Sequence, residues 1–265
     1  MSETPNTPST ETPDEHGIDR YDVLVVGGGV AGLSAATFTA RAGLDTVVVD
    51  DGNSILKRNA HLENVPGFPG GVNSRLFCEM QREQARRNGC SFVDGRVTAL
   101  RRLDDEGFGA TVENEDGTSR ERYGTYVVAA SWSDTSYLDS LGVDLRTAGS
   151  KTYIGDDGLG RTNVEGLYAA GRLTERYHQA VVAAGHGAQT AITLVHDSET
   201  PFYNDWVTPE GYFTDRGREV PPGCEEIDDD ERRRREAESR ETIQAFFAES
   251  HPDPQRTHPS LVDDE

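Results

Sequence analysis

The sequence predicts an α/β fold that opens on a β-α-β unit, and three observations predict it. Residues 21–51, YDVLVVGGGVAGLSAATFTARAGLDTVVVDD, read as a buried strand, a glycine turn, a helix and a second buried strand ending in acid. Two more short apolar runs, YVVAA at 126–130 and LYAA at 167–170, have the character of parallel strands buried on both faces. The Ala-rich stretch 177–195 reads as a long helix, and its small residues Ala183, Ala184, Gly185 and Gly187 allow close approach to a sheet or a ligand.

Within the opening unit, Gly27, Gly29 and Gly32 fill the G-x-G-x-x-G positions. The first permits the tight turn, the second lets backbone approach a pyrophosphate, and the third lets the helix pack close to the strand. Asp50 ends the second strand about 20 residues further on, where a carboxylate accepts ribose hydroxyls. The unit implies a dinucleotide site without saying which dinucleotide.

The other elements follow in chain order. Residues 1–20, rich in Ser, Thr, Pro and acid, read as a disordered acidic tail without the apolar core of a signal peptide. Residues 52–72 form a loop broken by Pro66, Pro69 and glycines. Residues 73–88 fit a helix with Leu76, Phe77, Met80 and Ala85 on its apolar side. From 91 to about 130, alternating stretches separated by DDEG and EDGT read as strands and hairpins, and 137–141 as a short helix. Residues 198–226 show aromatics and prolines without periodicity. Residues 227–250 fit a charged helix with acids first, arginines after, and a thin apolar face of Ile243, Phe246 and Phe247. The division is therefore a tail (1–20), one domain (21–197) and a C-terminal extension (198–265).

The formal net charge is -21, and of the 26 basic residues only Lys57 and Lys151 are lysine. A chain this acidic repels nucleic acid and anionic membrane, and no apolar run approaches the ~20 residues of a membrane span. A cytoplasmic location is expected. The acid-rich, lysine-poor composition resembles that of proteins from salt-loving archaea. Cys78, Cys90 and Cys224 form neither a disulfide framework nor a metal site, and there is no C-x-x-C. Cys78 and Cys90 read as structural, and Cys224, in PPGCEE, is a weak catalytic candidate among acidic neighbours.

Three further segments bring a family into view. TNVEGLYAAGR at 162–172 and YHQAVVAAGHGAQTA at 177–191 resemble the C-terminal flavin motif of the thioredoxin reductase family, and LENVPGFPGG at 62–71 resembles its E-N-x-P-G-F segment. The resemblance covers about residues 21–195. It implies FAD as cofactor and a three-layer, Rossmann-like FAD/NAD(P)-binding domain: a parallel sheet, helices on one face and a small antiparallel meander on the other. Carried over by position, Gly27, Gly29, Ala31 and Gly32 would cradle the pyrophosphate and Asp50 the adenosine ribose. Val97 would meet adenine through its backbone, and Asn64 would lie near the flavin. Gly171 and Arg172 would sit at the pyrophosphate and ribityl chain, and His178, Gln179 and Ala180 at the pyrimidine edge of the ring.

Two positions depart from the family. Arg172 replaces an aspartate that bonds the ribityl chain, and as a cation it could pair with the pyrophosphate. His178 replaces an arginine, and protonated it could stabilise the reduced flavin; as the alternative it is a helix-cap residue. The pair Arg58–Asn59, followed by His61, resembles thioredoxin-reductase-like dithiol oxidases.

The resemblance also has a gap. Thioredoxin reductases insert a nicotinamide-binding Rossmann domain, bearing the C-x-x-C, between the two halves of the FAD domain. Here about 30 residues separate YVVAA from TNVEG, too few for a domain. The expectation is an FAD-dependent oxidoreductase fed by an external donor (ferredoxin, a dithiol or a diffusing nicotinamide) and passing electrons to an acceptor the sequence does not name. A redox-sensing flavin module and a family member that has lost flavin are the alternatives. Oligomeric state is left open, a homodimer included.

Overall fold

A computed structural model describes residues 19–103 and 107–254. The expected tail at 1–20 thus lies almost wholly outside the described residues, as does the end of the C-terminal extension.

β1 (Arg20–Val26), α1 (Val30–Arg41) and β2 (Thr46–Asp50) form the opening unit, with β1 and β2 parallel. After α2 (Ser74–Arg87) the chain adds β3 (Ser91–Asp94) parallel to β2. β4 (Arg96–Arg102), β5 (Phe108–Glu113) and β6 (Ser119–Ala129) make an antiparallel meander. The long β6 belongs to two layers. Its first half pairs with β5, while its last residues lie between β1 and β9 (Leu167–Ala169), parallel to both. The parallel sheet therefore runs β3-β2-β1-β6-β9.

Strand alternation divides the core. Leu24, Val26, Val47, Val49, Val127 and Ala129 face the meander and pack with Leu100, Phe108 and Val112. Val23, Val25, Val48 and Val128 face the helices and pack with Leu33, Ala36 and Leu194. This is the three-layer Rossmann-like architecture expected. α1 crosses α3 (Ala180–Asp197) at close range: a methyl on Gly187 would stand 2.1 Å from the Ala31 carbonyl oxygen. Gly187 thus serves helix packing, while Ala183 lines the groove described below.

Between β6 and β9 lie only a 3-10 turn (Ser136–Leu141) and a hairpin of β7 (Leu145–Ala148) and β8 (Lys151–Ile154). The C-terminal segment places β10 (Trp206–Pro209) parallel to β11 (Cys224–Ile227), then α4 (Asp229–Phe246). Phe246 packs on the cluster of Leu62, Val72, Leu76, Phe77 and Ala180 beneath the 52–72 loop. Among the described residues no helix is long and apolar enough to cross a membrane.

Candidate functional site: a dinucleotide groove

A groove of about 560 Å³ opens along the carboxyl ends of β1, β2, β6 and β9, where ligands of doubly wound sheets bind. Gly27, Gly29, Ala31, Asp50, Val97, Arg172, His178 and Ala180 all line it. Gly27 has φ +106, and a side chain there would meet the Ala130 carbonyl. Gly32 lies below the groove, with room for no side chain: a Cβ would stand 1.9 Å from the Gly27 carbonyl oxygen. Gly171 is buried behind it, against Ala31.

The N-termini of two helices meet here. Gly29 caps α1 without a side-chain hydrogen bond, and no acid occupies the first turn of that helix. The same holds at Gln179, which caps α3. First-turn N–H groups with no side-chain partner, at the positive ends of two helix dipoles, are the donor set a pyrophosphate requires.

At one end stands Asp50, its side chain only 13% exposed and 3.5 Å from the Arg82 guanidinium, which also reaches Asp94 at 3.2 Å. The carboxylate lies directly over Gly28, where a Cβ would come within 2.4 Å of it. Gly28 is legible as the second glycine of VVGGGVAG; Arg82, on α2, carries no local signal. Past Asp50 the groove continues into a second cleft of about 680 Å³ that shares Gly28, Asp50, Gly95 and Arg96.

At the other end the guanidinium of Arg172 lies 4.4 Å from the centroid of the Trp132 ring and donates to His178 Nδ1 at 2.6 Å. Lys151 Nζ stands 5.0 Å from the same ring. Partial burial, with Arg172 and then Lys151 nearby, pushes the His178 pKa below its ordinary value. That shift works against the protonated form in which His178 could stabilise reduced flavin. A guanidinium can only donate, so His178 Nδ1 is the acceptor in this bond, and Arg172 and Lys151 bring positive charge to this end of the groove.

Other candidates fall outside the groove. Asn64 and Gln179 bond to each other at 2.7 Å, tying the 62–71 segment to the start of α3. His61 pairs with Glu63 at 2.8 Å, whereas Arg58 does line the groove. Cys224, the weak catalytic candidate, also lies away from the groove. It pairs across β10–β11 with Trp206, next to Asp205, which holds Arg41 at the far end of α1. A 12-residue helix, about 18 Å, separates that end from the groove. Cys78 and Cys90 are buried, and burial pushes their thiols up to about 11 and about 12.

Sequence reasoning also missed a buried constellation behind Gly171. His186 Nδ1 accepts the Gly171 N–H at 3.0 Å. Its Nε2 faces the Asp156 carboxylate at 3.7 Å, and Arg176 donates to that carboxylate at 2.7 Å. These contacts fix the Gly171–Thr174 turn that carries Arg172.

Residues 22–58 match the family model described as FAD binding domain. The cofactor indicated is FAD. The thioredoxin reductase of Aquifex aeolicus is 41% identical over 81 residues, covering 30% of this chain and 25% of that protein. The dihydrolipoyl dehydrogenase of Haloferax volcanii is 29% identical over 198 residues, covering 73% of this chain and 38% of that protein. The chain thus spans between 25% and 38% of the length of these two relatives. Among solved structures, a thioredoxin reductase from Gloeobacter violaceus aligns with TM-score 0.57 at 19% identity, over 71% of this chain and 98% of that one. This last likeness speaks for the fold.

Proposed function

We propose that the chain is an FAD-dependent oxidoreductase of thioredoxin-reductase-like type, fed by an external donor rather than by a nicotinamide domain of its own. The observation that carries the reading is the short connection from β6 to β9. A single 3-10 turn and the β7–β8 hairpin stand there, and the sequence holds neither a second G-x-G-x-x-G nor a C-x-x-C.

Bound FAD supplies two-electron chemistry between donor and acceptor. The chain's own residues bind and orient it. Asp50 accepts the ribose hydroxyls, and the N–H groups opening α1 hold the pyrophosphate against Gly27 and Gly29. Gly171 and Arg172 stand at the other end of the groove, with Ala180 at the start of α3. Val97 offers backbone at the adenine side. Asn64 and Gln179, bonded to each other, brace the loop beside the flavin end. Composition supports a protein that works at high salt, so the assay belongs in molar salt.

Purified protein should be yellow, or become so with added FAD, with absorbance near ~450 nm. NADPH alone, as a diffusing donor without a nicotinamide domain to bind it, should bleach the flavin slowly at most, whereas a reduced dithiol or ferredoxin should bleach it rapidly and sustain turnover with an acceptor. Rapid bleaching by NADPH without a partner protein would sink the external-donor reading. Bleaching with no turnover would favour a redox-sensing flavin module.

A further inference from the structure

The two ends of the groove differ in how their charges are balanced. Near Asp50 two lining arginines meet carboxylates, while Lys57 donates to the Gly52 carbonyl: Arg82 lies by Asp50 and Asp94, and Arg96 by Asp51 and Asp134 at 3.7 and 3.9 Å. At the other end, neither Arg172 nor Lys151 has a carboxylate within ion-pair distance among the described residues. In a chain of net charge -21, two cations without a carboxylate partner among the described residues thus lie within 5.0 Å of one ring centroid. Arg172 is also held in place, by the Trp132 ring at 4.4 Å and by the bond to His178 at 2.6 Å.

Asp50 marks one nucleoside end, and the uncapped start of α1 marks the pyrophosphate. The redox-active half of FAD must then run toward Trp132, Arg172 and His178, an assignment that rests on the proposed function above. We propose that Arg172, fixed on Trp132 and backed by Lys151, is a redox-tuning cation that makes the groove hold reduced FAD more tightly than oxidised FAD. Reduction adds two electrons and one proton to the ring, leaving it one unit more negative. A fixed cation close by favours that form in a low-dielectric groove. The electrons come from the external donor, replaced by dithionite in the experiment.

The test measures the midpoint potential of the FAD-loaded protein against a reference dye during dithionite reduction, together with FAD affinity in the oxidised state. Arg172→Gln should cut the preference for reduced FAD about tenfold, which moves a two-electron midpoint about 30 mV more negative. Arg172→Lys should retain most of the wild-type potential, and Lys151→Gln should shift it in the same direction by less. If oxidised and reduced FAD lose affinity equally in Arg172→Gln, the midpoint stays put, Arg172 serves the pyrophosphate, and the inference fails. An unchanged midpoint with unchanged affinity also overturns it. A wild-type protein that takes up no FAD overturns instead the reading of the groove on which it rests.

Discussion

Helices that begin at the groove and helices that begin elsewhere are capped differently. α1 and α3 start with no side-chain cap and no acid in the first turn. α2 starts on Asn73, whose side chain accepts from the Arg75 and Leu76 N–H groups at 2.9 and 3.3 Å. α4 starts on Asp228, which accepts from the Glu231 N–H at 2.7 Å, and Asp229, Asp230 and Glu231 follow. A side-chain cap stabilises a helix by about 1 kcal/mol. Its absence at both groove-facing starts, and its presence at the other two, leaves the donors at the groove without a side-chain cap, as the proposed FAD site requires. The difference separates donors open to a ligand from donors spent on the fold.

The comparison breaks most sharply at Gly29. Its backbone, at φ -79 and ψ -178, is open to any residue, and the nearest atom to an added Cβ is Ser54 Oγ at 3.7 Å. Gly29→Asp should therefore fold and give α1 the cap it lacks. The new carboxylate would occupy the first-turn N–H groups and repel the pyrophosphate, weakening FAD binding about a hundredfold. The melting temperature of the FAD-free protein should meanwhile stay level or rise. An FAD dissociation constant within a few-fold of wild type, measured by flavin fluorescence, would remove α1 from the site.

Next in size is the support behind Gly171. Replacing His186 with Leu leaves the Gly171 N–H and the Asp156 carboxylate short of a partner, at a cost of about 1–3 kcal/mol. Burial first, then Arg176, pushes the His186 pKa below its ordinary value, against the opposing pull of Asp156 and Asp157. A histidine whose folded pKa is lowered contributes stability that is fully present above its unfolded value, ~6.5. That contribution is lost as pH falls below this value toward the folded one. Wild-type thermal stability should accordingly decline from pH 7 to pH 5 more steeply than that of His186→Leu. Parallel pH profiles would show that His186 is protonated already or does not hold the turn.

How much of this was legible follows from how local each feature is. The runs of β1, β2, β6 and β9 are apolar because both faces are buried, so composition alone marks them. The groove glycines and Asp50 sit within one β-α-β unit, and their spacing is read directly. Residues 177–179 do not join α3 as expected, because Gln179 is extended at φ -130 and serves as its N-cap. The β7–β8 hairpin escaped because it is half-exposed, with Leu145 43% exposed, so it shows no alternation. The β10–β11 ladder pairs residues far apart in sequence, as do Arg82 with Asp50 and His186 with Asp156. Such pairs are set by the fold and leave no spacing to read. Arg172 was visible as an anomaly, but the Trp132 ring that fixes it was not.

The smallest effect sharpens the comparison from the other side. Asn73→Ala removes the cap of α2, which spends its donors on the fold. The cost should be about 1 kcal/mol, or about 2–4 °C in melting temperature for a chain of this size. FAD affinity should stay within about twofold, because the first-turn donors of α2 face Asn73 and not the groove. Asn73→Asp should restore the stability, since either side chain accepts the same N–H groups. An acid at an N-cap then has opposite consequences in one molecule: at α2 it repairs the fold and leaves the ligand alone, and at α1 it spares the fold and expels the ligand. If Asn73→Ala instead weakened FAD binding as much as it lowered the melting temperature, the start of α2 would belong with the groove, and capping would no longer mark where the ligand sits.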